Sequence, residues 1–236
     1  MENTIRISAK SQTNILWWSF IFLITFCATF WGLLGMVPPP APSLLPVEVA
    51  KFYSDNAWQI KFGSIICSVT SAFLIPFSIV VGFQLARIEK GLPVWSALSA
   101  IGGSFTCIFL VIPPVLWGVA AFTPDRAPEL TALVNEIANL SLITTGQFYI
   151  FNTIPIFYLG LKASPDSGSA FPRWLCWFTI FMTCIGEVGI VSYLFKTGPF
   201  AWNGLLSFWI PFAAYFLWIF FVYFSLFKAL KKQSKV

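Results

Sequence analysis

Six long apolar runs, at approximately 15–36, 59–86, 94–121, 138–161, 174–195 and 204–228, constrain this chain more than any other feature. A membrane span needs about 20 apolar residues to cover a hydrocarbon core of roughly 30 Å. In lipid every backbone NH and C=O must find a partner inside the protein, so such runs become helices. The sequence therefore predicts an all-α polytopic membrane protein, with residues 1–236 forming a single transmembrane domain. At 58% hydrophobic and 10% charged residues and a mean hydropathy of +0.81, almost nothing remains for a soluble domain.

The runs also resemble one another. Trp31, Gly32, Pro38, Ala41 and Pro42 recur with the same spacing at Trp117, Gly118, Pro124, Ala127 and Pro128. Ile75-Pro76 pairs with Ile154-Pro155, and Pro93 and Trp95 with Pro172 and Trp174. This pattern predicts six transmembrane helices arranged as three tandem helical hairpins, a construction that serves transporters and rigid scaffolds alike. Trp and Pro also gather at span ends for interfacial reasons alone, so composition offers a competing origin for the matches.

Charge sets the expected orientation. Arg6, Lys10, Arg87, Lys90, Lys162, Arg173 and the basic run Lys228 to Lys235 fall on one side, against Lys51, Lys61, Arg126 and Lys196 on the other. The positive-inside rule then places both termini in the cytoplasm. The first run is too long for a signal-peptide core and no small-residue cleavage site follows it, so it is expected to be a retained span. The net charge of +5 requires no nucleic acid, because the C-terminal run can lie against anionic headgroups.

Several classes of chemistry are excluded. The chain has no His, which removes bis-His haem, His-ligated zinc and any Ser-His-Asp triad. Its five cysteines lie within spans, where free thiols behave as small hydrophobes, and no disulfide framework, metal site or cofactor is expected.

Two loops promise short helices. Residues 46–55 begin with Pro46 and carry Glu48 behind it, with Ser54 and Asp55 as candidate caps for the second span. Residues 128–140 open with Pro128 and Glu129 and carry Leu130, Leu133, Ile137 and Leu140 at helical spacing.

Glu187 stands out among candidate ligand-binding residues, as the one carboxylate deep within a span, where an ionisable group must be paired, neutral or facing water. Gly186 and Gly189 beside it invite close backbone approach. Gln147, Asn152 and Lys61 could complete an outward-opening polar pocket if their helices meet. Two of them also have a purely structural explanation: Gln147 as interhelical glue, Lys61 as a side chain reaching for headgroups. Phe148, Tyr149, Phe151 and Tyr158 could line an apolar pocket, whereas Trp17, Trp18, Trp95, Trp174, Trp177 and Trp202 suit interfacial belts. Ser96, Ser99, Gly102 and Gly103 form a small-residue face that reads as a helix contact.

The stretch from Phe195 to Gly204 leading into Phe208-Trp-Ile-Pro211, together with Phe122 to Glu129, resembles a group of small bacterial multi-pass membrane proteins that carry no assigned activity. The resemblance covers most of the chain, implies a bacterial inner membrane and supplies no catalytic residues. The leading expectation is a membrane protein that binds or transports a small or apolar ligand through an outward-opening intramembrane site. The alternative is a structural or accessory subunit docked on other membrane subunits. An intramembrane enzyme ranks below both, because one carboxylate without His or a metal cluster is a thin catalytic outfit.

Overall fold

The computed structural model describes residues 8–144, 146–164 and 167–235. Among them every regular element is helical: α1 (Ala9–Gly32), α2 (Pro46–Asp55), α3 (Ala57–Thr70), α4 (Leu74–Ala86), α5 (Val94–Phe105), α6 (Cys107–Phe122), α7 (Pro128–Thr144), α8 (Ile150–Lys162), α9 (Arg173–Gly186) and α10 (Ile210–Gln233). Five stretches are long and apolar enough to cross a bilayer: α1, residues 57–86, 94–122, 173–194 and 205–233. The chain is thus a multi-pass membrane protein. Between the third and fourth of these stretches, α7 and α8 flank residue 145, which, like Arg6, lies outside the described residues.

Prolines joint the long passages, because each lacks a backbone donor and its ring crowds the carbonyl four residues earlier. The carbonyl crowded by Pro76 belongs to Ala72, within a 3-10 turn (Ser71–Phe73) that separates α3 from α4. Pro211 crowds Ser207, and there the chain widens into a π turn (Leu205–Trp209) before α10. Pro113 and Pro114 lie inside α6, whose start is offset from α5 at Thr106. The Thr106 hydroxyl donates back to the Gly102 carbonyl at 2.9 Å.

The passages pack on one another in chain order, and α10 returns to pack on α1. At one end of the bundle Gln84 Nε2 donates to Gln12 Oε1 at 2.8 Å and to Gln233 Oε1 at 3.2 Å, so the start of α1 and the end of α10 lie together. Arg173, Lys228 and Lys232 gather at this basic end. The other end is clasped by its loops: the Trp202 indole donates to the Pro40 carbonyl at 2.8 Å, and Tyr53 of α2 donates to Asn135 of α7 at 2.9 Å.

Close packing is concentrated where α3 and α4 meet α5 and α6. Helices in lipid associate through van der Waals contact, so small residues that let backbones approach set the tight interfaces. A Cβ at Gly82 would stand 2.9 Å from the Ala100 Cβ; one at Gly103 would stand 2.3 Å from Ser78 Oγ and 2.6 Å from Asn152 Nδ2. The small-residue face of α5 is therefore an internal helix contact, with Ser96, Ser99, Gly102 and Gly103 all buried.

Three local expectations change. The second span is not capped by Ser54 or Asp55: Asn56 takes the N-cap position of α3, and its amide donates to the Phe52 carbonyl instead. Trp202 is buried under the loop clasp and leaves the interfacial belt. Trp31 and Trp117 are not environmental equivalents, since Trp31 is 63% exposed whereas Trp117 is fully buried and donates to Asn139 Oδ1 at 3.3 Å.

Candidate functional site

A cavity of about 90 Å³ opens within the clasped half of the bundle, bounded by α1, α6, α7, α9 and α10. Two aligned rows running from the π turn into α10, Ser207-Pro211-Tyr215 and Phe208-Phe212-Phe216, supply one wall. Residues four apart share a helix face, and the π turn brings Ser207 and Phe208 into line with the rest. Phe208 and Phe212 stack at 5.2 Å between centroids, and Phe212 meets Phe216 at 4.7 Å. Across from them Phe26 and Phe30 of α1 stack at 5.5 Å. Phe109 and Leu110 of α6, Leu142 and Ile143 of α7, and Met182 of α9 close the remaining sides.

Few polar atoms enter this aromatic chamber. The Tyr149 hydroxyl donates to the Thr183 carbonyl at 2.9 Å, in space that exists because residue 186 is glycine: a Cβ there would stand 2.2 Å from that hydroxyl. Ser207 donates to the Phe200 carbonyl at 3.0 Å. Tyr215 differs. Its hydroxyl is buried and has no hydrogen-bond partner among the described residues, although the great majority of buried polar atoms are paired. Its ring is wedged edge-on against Phe109 at 5.8 Å and tilted against Trp218 at 5.9 Å, which fixes where the hydroxyl points.

The four residues expected to form a polar pocket are distributed differently. Glu187 follows Gly186 at the point where α9 tightens into a 3-10 helix (Glu187–Leu194). Its Oε1 is buried without a partner, and its carboxyl is an electrostatic neighbour of the Tyr149 hydroxyl, so it stands just behind the cavity wall. Gln147, in the 3-10 turn Gly146–Tyr149, bonds back to the Thr144 carbonyl of its own passage. Asn152 stitches α8 to α5, donating to the Ser99 carbonyl and hydroxyl at 3.0 Å each. Lys61 lies in a separate groove between α3 and α6, its ammonium 5.4 Å from the Trp58 ring and 5.8 Å from the Phe122 ring. None of the cavities described here is lined by more than one of the four. Of the four aromatics expected on this passage, Tyr149 lines the cavity, whereas Phe148, Phe151 and Tyr158 are exposed at the bundle surface.

Sequence reasoning missed Tyr215 and the phenylalanine rows. The signal was present, since Phe208, Phe212 and Phe216 repeat every four residues beside Ser207, Pro211 and Tyr215. In a chain with 27 Phe that repeat was hidden among lipid-facing rings. No metal-binding cluster of Cys, Asp or Glu occurs among the described residues. Comparison with known proteins finds no matching family model, no matching curated protein and no matching solved structure.

Proposed function

We propose that this chain is a six-span membrane protein of the bacterial inner membrane whose central aromatic cavity binds a small apolar molecule carrying one hydrogen-bonding group, as the binding step of a carrier or receptor. The single observation that carries the reading is the buried, unpartnered hydroxyl of Tyr215, a residue that lines a chamber walled mainly by apolar side chains. A ligand that accepts this hydrogen bond recovers the desolvation cost of the hydroxyl, and the phenyl walls supply contact area with little entropy to lose. Glu187, one residue behind the wall, tunes the Tyr149 side of the chamber.

Six spans follow if α7 and α8 form one passage, which makes the number of crossings even and agrees with both described chain ends lying together. The basic residues gathered at that end favour cytoplasmic termini, so the cavity opens in the outward half. The accessory-subunit alternative leans on small-residue and aromatic faces free to dock other subunits, and the most prominent small-residue face is already occupied by α4 and α8.

Binding is tested with 4-fluorophenol, an aromatic ring with one hydroxyl, followed by fluorine NMR on the full chain in detergent. Saturable line broadening is expected for the wild type and not for Leu142→Trp, which fills the cavity. Equal broadening in both would mean that the micelle holds the probe, and would defeat the proposal.

A further inference from the structure

A second cavity, of about 370 Å³, lies at the basic end between α8, α9 and α10. We infer that it is a site for one phosphate-bearing anion, with Arg173, Lys228 and Lys232 as its charged wall. Lys228 and Lys232 are four apart on α10 and so share a face, while Arg173 is the first residue of α9 across from them. None of the three side chains makes an ion pair or a hydrogen bond among the described residues, so three like charges line one opening. The N-terminus of α9, with no acidic residue in its first turn, adds unpaired amides and the positive end of a helix dipole.

The floor is apolar. Ala170, Phe171 and Ala229 are buried there, and Gly160 lets α8 close on α9, since a Cβ at that position would stand 2.4 Å from Cys176 Sγ. A cationic rim over an apolar floor, at the end of a membrane bundle, matches the headgroup and upper chain of an acidic phospholipid. By contrast, the single cation of the α3–α6 groove is already covered by two aromatic rings.

Native mass spectrometry of the full chain in detergent, titrated with dioleoyl phosphatidylglycerol, dioleoyl phosphatidylcholine or inorganic phosphate, tests this. One phosphatidylglycerol should be retained in preference to phosphatidylcholine. The triple substitution Arg173→Gln, Lys228→Gln and Lys232→Gln should weaken that adduct roughly 100-fold, at roughly fivefold per cation. Lys231→Gln with Lys235→Gln, at the same end but outside the cavity, should leave it intact. Lys232→Glu alone, at an exposed position, should still weaken it several-fold if the triple variant fails to fold. Displacement of the lipid by millimolar inorganic phosphate would identify the anion as a soluble phosphate at the same three cations. An adduct unchanged in the triple variant and in Lys232→Glu, or lost equally in the Lys231/Lys235 control, would overturn the site.

Discussion

The α4–α5 contact and the aromatic cavity are built from opposite materials, and the contrast separates what holds this bundle together from what it can do. At the first, glycine and serine let backbones close until a single added methyl has no room, as at Gly103. At the second, phenylalanine rows from α1 and α10 face each other, and rigid rings that cannot interdigitate fully leave a chamber. Without a hydrophobic drive between helices in lipid, contact density decides stability. The tight interface carries the fold; the loose one leaves a cavity.

Substitutions should divide along that line. Gly103→Val, which drives carbon into Ser78 and Asn152, should cost about 3 kcal/mol and be read as early unfolding in a denaturing-detergent titration. Asn152→Ala, which removes the stitch to Ser99, should cost about 1–2 kcal/mol in the same titration. Retention of wild-type stability by both would erase the distinction between the two regions.

Glu89 gives a smaller effect from the loop that joins the same pair of helices. Partial burial works against its ionisation, but the Ser96 hydroxyl and the amides of Trp95, Ser96 and Val94 outweigh it and hold the carboxyl below its ordinary value of 4.5. Its folded value is depressed, so its contribution is complete above the unfolded value and is lost as pH falls through the lower folded one. The wild type should lose stability across that acid window, and Glu89→Gln should show a flatter profile there. Smallest of all, Leu142→Trp should cost no more than about 1 kcal/mol, the low end for an enlarged side chain, because the cavity that Leu142 lines takes up part of the added ring.

Much of the fold was legible in the apolar runs and in the turn chemistry. Pro46 and Pro128 do open α2 and α7, and Glu48 returns to the Leu45 amide at 2.8 Å. The stripe of Leu130, Leu133 and Ile137 has its helical spacing but faces outward, while Thr131, Asn135, Ala138 and Asn139 are buried. In lipid the apolar face is the solvent face, so periodicity marks the side a helix turns away from its neighbours. The Trp31 and Trp117 pair shows the other limit: a span-end tryptophan becomes core or surface according to which helices pack on it, as α7 and α1 do on Trp117, and local spacing carries no information about that. Little of the site was legible. Glu187 follows a wall residue, Gly186, but does not itself line the cavity, whereas Gln147, Asn152 and Lys61 each found separate local partners, which only the three-dimensional path of the helices decides.

Thermal unfolding of Tyr215→Phe beside the wild type, with and without 4-fluorophenol, tests the central claim most directly. A buried hydroxyl without a partner costs stability, so removing it while keeping the ring should raise the ligand-free melting temperature. The same change should shrink the probe-induced upward shift, because the hydrogen bond to the ligand is lost. A variant that melts below the wild type, or that gains the full wild-type shift from the probe, would contradict the assignment of Tyr215 as the polar anchor of a ligand cavity.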